Sequence, residues 1–161
     1  MGTNICTVAQ RRNETGEWID VHGGFLQGRD PFDWRAYSMF AFLAGVRNYA
    51  AITPISEPRG LPHDFYVGEF ENDDDDSWRW STYQSPSWLS VAELQAVDYD
   101  QIVEDRQAAL QTGPRSWDGG HTCPPGEGEF MTLREFLGRG FFNDLHKAEE
   151  LGVERIVFGF S

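Results

Sequence analysis

A chain of 161 residues is the size of one domain, here 1–161, and buries roughly two-thirds of the surface its unfolded form would expose, so it can fold without a metal or a disulfide. The formal net charge of −13 excludes the basic footprint with which proteins capture nucleic-acid phosphates directly, and leaves DNA mimicry or a basic protein partner open. Aromatics at 14%, with six Trp and twelve Phe, imply that some rings serve a binding surface as well as a core.

The first segment, "NICTVAQRR", and "EWIDV" alternate apolar and polar residues around "NETG", which predicts a β-hairpin turning at Asn13 to Gly16. "DWRAYSMFAFLAGV" reads as a short buried helix with Asp33 as its cap. From Arg47 to Asp64 three prolines and a glycine break any period, so an ordered loop is expected. The run Asp73 to Asp76 reads first as a solvated loop, and "WRWSTY" as a strand, with "QSPSWL" the turn after it. Ser90 with Glu93, and Thr132 with Glu135, have the spacing of capping boxes at helix starts. A further helix through "FFNDLHKAEELG" should end at Gly152, and "ERIVFGF" closes the chain as a strand. These elements predict a single α+β domain, mainly an antiparallel sheet with the N- and C-terminal strands together, and three to four short helices.

Cys6 and Cys123 form no CxxC pair, and four scattered histidines argue against structural zinc. Asp30, Asp33 and the aspartate run lack the Gly and terminal Glu of a calcium loop, and no GK[ST] or regular glycine fingerprint marks a nucleotide cofactor site. No metal and no cofactor is therefore expected. With neither a signal peptide nor a long apolar run, no membrane association is expected.

Three groups stand out as ligand candidates. Arg47, Asn48 and Tyr49, with Arg59 in the same proline-stiffened loop, offer forked donors for phosphate and a ring for stacking; the plainer alternative is that each arginine pairs with this protein's own carboxylates. In "SWDGGHTC", Trp117 would stack, Asp118 would accept from a ribose or amine, and Gly119 and Gly120 would admit a ligand close to the backbone; the plainer alternative is a stiff connection with Trp117 in the core. His121 and Cys123 share a face of an extended segment, but no third group orients them as base and nucleophile, so no catalytic residue is assigned. Trp88 precedes a helix start, either beside an anion or as a hydrophobic staple.

"YSMFAFLAGVRNY", "PISEPRGLPHD", "SPSWLSVAEL" and "SWDGGHTCPPGEGEFMTLREFLGRGFFNDL" together resemble a family of small acidic proteins encoded by bacteriophages. His63-Asp64 and the aspartate run depart from that pattern, where relatives read as a short helix. The resemblance implies an accessory, counter-defence protein in the cytoplasm of an infected bacterial host and supplies no catalytic residues. Joined to the loops, it favours a non-catalytic sponge for a small anionic, nucleotide-derived immune signal, with Arg47 and Arg59 on phosphate, and with a homo-oligomer left open. An enzyme that cleaves such a signal through His121 and Asp118, or an acidic inhibitor of a host protein, are the alternatives.

Overall fold

The computed structural model describes residues 2–65, 80–107 and 122–161. Among them are six strands and four helices: β1 (Ile5–Arg12), β2 (Trp18–Val21), α1 (Tyr37–Ala44), β3 (Gln84–Ser90), α2 (Val91–Ala96), β4 (Ile102–Asp105), β5 (Glu129–Thr132), α3 (Leu133–Leu137), α4 (Arg139–Glu150) and β6 (Arg155–Phe160). The α+β class with a mainly antiparallel sheet is thus the observed one. Within it the chain gathers into two compact units interleaved in sequence.

The first unit comprises Met1–Arg35, Pro58–Ala96 and Asn143–Ser161 and holds a four-stranded sheet ordered β2-β1-β6-β3, antiparallel throughout. The two end strands of the chain lie side by side as expected, and Asn4 and Ser161 exchange backbone hydrogen bonds of 3.0 and 3.1 Å beyond them. The first hairpin turns where its sequence predicts: the Asn13 side-chain oxygen accepts from the backbone N–H of Thr15 and Glu17, and Gly16 takes the positive φ of 83°. Because side chains alternate between faces and paired residues share one, Thr7, Ala9, Ile156, Phe158 and Leu89 fall on a single face, and all are buried. That face is the core of the unit. The opposite face carries Gln10, Arg12, Trp18, Asp20, Trp88 and Arg155.

Two expectations are corrected in this unit. "QSPSWL" is not a turn but most of β3, which pairs with β6 through Ser87, Trp88, Leu89 and Ser90. Pro86 is accommodated because β3 is an edge strand and the register shifts between Gln84 and Ser87, so its missing N–H interrupts no ladder. Trp80 to Tyr83, the described part of the expected strand, is not extended: Trp80 is helical and Ser81 and Thr82 form a turn. Tyr83 lies against Gly159, where a Cβ would come within 2.8 Å of the tyrosine's own Cβ.

The second unit comprises Ala36–Glu57 and Val97–Phe142, with α1, the two-stranded β4-β5 sheet and α3. Asp33 does not cap α1, which starts at Tyr37 behind an N-cap Ala36 with no side-chain bond; the start follows the apolar run Met39 to Ala44, which is wholly buried. Phe42 meets Phe141 edge-on at 5.7 Å and Tyr99 at 6.0 Å. β4 and β5 were not evident in the sequence, since each is four residues long and neither alternates cleanly. Thr132 caps α3 as its spacing predicts, its Oγ1 accepting from Glu135 N at 3.1 Å.

In α4 a carboxylate that is 1% exposed organises a loop of the first unit. Asp144 accepts from the backbone N–H of Leu26 at 2.7 Å and of Phe32 at 2.8 Å, the latter held at a positive φ of 60°. Burial pushes its carboxyl above the usual range, and the two N–H donors pull it back. Replacing Asp144 with Ala strands both donors, so Asp144→Ala should lower unfolding stability by about 2–5 kcal/mol, summed from the cost of each unpaired buried group. Urea denaturation measures this, and a change under 1 kcal/mol would show that the loop finds other partners.

Candidate functional site

The outer face of the first unit's sheet has an unusual row of side chains running across its strands. Asp20 on β2 is paired in register with Gln10 on β1, Gln10 with Arg155 on β6, and Arg155 with Ser90 on β3. Gln10 bridges the row, donating its amide to Asp20 at 2.9 Å and accepting from Arg155 Nε at 2.9 Å. Arg155 also donates from Nη1 to Asp64 at 2.7 Å, and the other oxygen of Asp64 accepts from Trp18 Nε1 at 2.7 Å. The circuit closes on itself, since the Trp18 ring lies 3.7 Å from the Arg155 guanidinium carbon.

The side chain of Arg155 is only 7% exposed, while that of Asp64 is 40% exposed. The guanidinium beside it holds the Asp64 carboxyl below the usual range, with the Trp18 N–H acting the same way. Arg155 Nη2 is buried and has no hydrogen-bond partner among the described residues. Gln10, Arg12, Gly16, Glu17, Trp18, Ile19, Asp20 and Asp64 line a cavity of about 680 Å³, within the usual range for a small-molecule site. Arg12 reaches over the Trp18 ring at 4.7 Å, and no carboxylate among the described residues pairs with its guanidinium. The cavity therefore offers an indole, the Arg12 guanidinium and three carboxylates.

Further along the same face Arg59 and Trp88 come together. Arg59 places its guanidinium over the Trp88 ring at 4.9 Å, donates to the Trp88 carbonyl at 3.2 Å, and forks onto Glu93, with Nη1 to Oε1 at 2.8 Å. Its charge is thus already met by a carboxylate of the protein. Glu93 simultaneously accepts from Ser90 N at 3.0 Å while Ser90 Oγ accepts from Glu93 N at 3.0 Å, which is the capping box that starts α2.

The other predicted ligand residues are placed as follows. Arg47, Asn48 and Tyr49 belong to the second unit, whereas Arg59 and Trp88 belong to the first. Arg47 is exposed, takes a positive φ of 51° and donates to Tyr49 Oη at 2.9 Å. Asn48 closes its own loop, its amide donating to the Ile52 carbonyl and accepting from the Ile52 N–H. Tyr49 tilts against Tyr37 with centroids 6.4 Å apart. Trp117, Asp118, Gly119, Gly120 and His121 lie outside the described residues, as do Asp73 to Asp76. Cys123 is buried, its backbone N–H and carbonyl both bonded to Arg106. Among the described residues no group of three or more His, Cys, Asp or Glu is arranged to hold a metal, and no helix is long and apolar enough to cross a membrane.

Sequence reasoning missed Gln10, Arg12, Trp18, Asp20, Asp64 and Arg155 as a site. A signal was present in the hairpin: its alternation sets Gln10 and Arg12 on one face opposite Trp18 and Asp20, leaving a polar, aromatic face that a core does not need. No family model, no curated protein and no solved structure matches the chain.

The Arg59–Glu93 pair has a measurable acid dependence. Arg59 pulls the Glu93 carboxyl down from 4.5 to about 2, with the Ser90 bonds adding to it against desolvation. A depressed carboxyl contributes stability that is fully present above pH 4.5 and is lost as pH falls toward 2. The melting temperature of Glu93→Gln should accordingly fall less steeply than that of the native protein across this window, and parallel curves would show the pair to be energetically silent.

Proposed function

We propose that the protein binds and sequesters a small anionic, nucleotide-derived molecule in the Trp18 cavity, without chemical conversion. The observation that carries this reading is the Arg12 guanidinium lying over the Trp18 indole at the wall of a cavity of about 680 Å³. Arg12 supplies an exposed fork for phosphate, the Trp18 ring supplies an aromatic edge for a base, and Asp20 and Glu17 supply acceptors for ribose hydroxyls or base amines. The resemblance to small acidic bacteriophage proteins supplies a setting in the infected host's cytoplasm, where holding a signalling nucleotide would counter a defence response. Compared with the loop pocket expected from the sequence, the reading keeps the ligand class and moves its receptor from Arg47 and Arg59 to Arg12 and Trp18.

Sequestration requires a bound molecule that is released unchanged. Thermal shift against cyclic and ADP-ribose-derived nucleotides, followed by chromatography of the ligand after denaturing the complex, reads both properties at once, since a ligand that binds only the folded state raises the melting temperature by mass action. Arg12→Ala, a substitution at an exposed side chain, should weaken retention about tenfold, equivalent to about 1.4 kcal/mol. Undiminished retention in Arg12→Ala, or recovery of products in place of the ligand, would overturn the reading.

A further inference from the structure

We propose that the outer edge of β4, in the second unit, is a docking strand for an extended, basic segment of a partner protein. Its register leaves that edge open. Leu133 N donates to the Gln101 carbonyl at 2.9 Å, which turns Gln101 toward β5. Residues of an antiparallel pair direct their N–H and C=O groups alternately toward and away from the partner strand, so Val103 and Asp105 also face β5, while Ile102, Glu104 and Arg106 face outward. Arg106 agrees, since its N–H donates to the Ala50 carbonyl in the connection after α1 at 3.1 Å. The N–H and carbonyl groups of Ile102 and Glu104 have no outward partner among the described residues. This edge thus offers two donors and two acceptors.

The open edge borders a cavity of about 560 Å³, lined both by β4 and by the connection from Ala51 to Ile55. Buried Phe42, Ile52 and Leu133 give it apolar walls, and Ile102 lines it while 65% exposed. Open edges are commonly blunted by lysine or proline, and β4 carries neither. Glu104 does not guard the edge, because its carboxylate is turned onto the backbone N–H of Gly126 at 2.7 Å and of Gly128 at 3.0 Å. Main-chain bonds in strand addition give affinity and leave selection to side chains, and here charge selects. Residues 97–107 and 122–135 hold seven carboxylates and two arginines. Arg134 is paired with Asp100 at 3.1 Å, and Arg106 donates Nε to the Cys123 carbonyl at 2.7 Å. Asp98, Glu127 and Glu129 are exposed and paired with no cation among the described residues. Lysine or arginine side chains on a docked strand would meet these carboxylates, whereas a second copy of this chain, with its net charge of −13, would bring like charge.

The test titrates the whole protein with a capped peptide of alternating lysine and valine, about six residues long as strands usually are. A glutamate-valine counterpart and a lysine-valine peptide N-methylated throughout serve as comparisons. The first peptide should bind, read by fluorescence anisotropy, and should slow hydrogen exchange at the Ile102 and Glu104 amides. The other two should bind at least about tenfold more weakly. Ile102→Pro removes one outward donor and no bond of the β4-β5 ladder, so it should weaken the lysine-valine peptide about tenfold. Circular dichroism checks its fold. Ile102→Lys keeps the backbone donor at an exposed side chain and sets like charge against the peptide, so it should weaken binding as well and decides the question if Ile102→Pro does not fold.

Equal affinity for the glutamate-valine peptide overturns the basic partner, and equal affinity for the N-methylated peptide overturns strand addition. Absence of binding by the lysine-valine peptide overturns both. Self-association of the native protein in sedimentation, abolished by the Ile102 variants, would assign the edge to a second copy and likewise overturn the proposal. The Trp18 cavity belongs wholly to the first unit, so nucleotide retention reports on it separately.

Discussion

A guanidinium buried on the second-last strand of the sheet constrains the first unit. Arg155 is paired in register with Gln10 and Ser90 and cannot leave the sheet without withdrawing β6, the strand that joins the N-terminal hairpin to β3. Taking a charge out of water is expensive unless its donors are met, so its neighbours are specified by it: an amide on β1, a carboxylate from the loop at Asp64 and an indole on β2. Each arrives from a different stretch of chain. Sheet, loop and hairpin are therefore coupled through one side chain, and the outer face becomes a place where polar groups converge instead of a solvated surface.

The other buried charge of this unit is managed differently. Among the described residues Asp144 is met by two backbone N–H groups and no cation, and these bonds order the Leu26 to Phe32 segment. In a chain with 13 basic and 26 acidic residues that distinction matters. Basic side chains are scarce, and Arg12, Arg59 and Arg155 all lie over tryptophan rings. Arg59 shows how such a pair looks when it is complete, with both Nη atoms on Glu93 and the chain's own helix cap behind them. Arg155 shows the same pairing left unfinished.

Much of the fold was legible because local rules and tertiary demands agreed. The Asn13 turn, the capping boxes at Ser90 and Thr132, and Gly152 with its φ of 70° behave as short-range chemistry requires. β3 was misread because Pro86 signals a turn, and only its position at a sheet edge, a long-range fact, makes a strand tolerable there. The site was harder. All six residues of β6 are buried, so "RIVFGF" carries no alternation that would mark Arg155 as facing anything, and its partner Asp64 is 91 residues away. Arg59 was singled out correctly as a forked donor, but the sequence could not show that Glu93, 34 residues on, would occupy it.

The strongly acidic chain bears on how an anion would be held. At physiological ionic strength the Debye length is about 8 Å, so most of the protein's negative charge is screened from a ligand inside the cavity, while during approach the long-range field opposes it. Affinity would then come from close contacts made after arrival, which are the guanidinium of Arg12 and the indole of Trp18. Such a site would select by contact instead of by charge at a distance. Anions that make no such contact would be repelled by the surrounding carboxylates of Glu17, Asp20 and Asp64, and a ligand able to use those same carboxylates as hydrogen-bond acceptors would be retained.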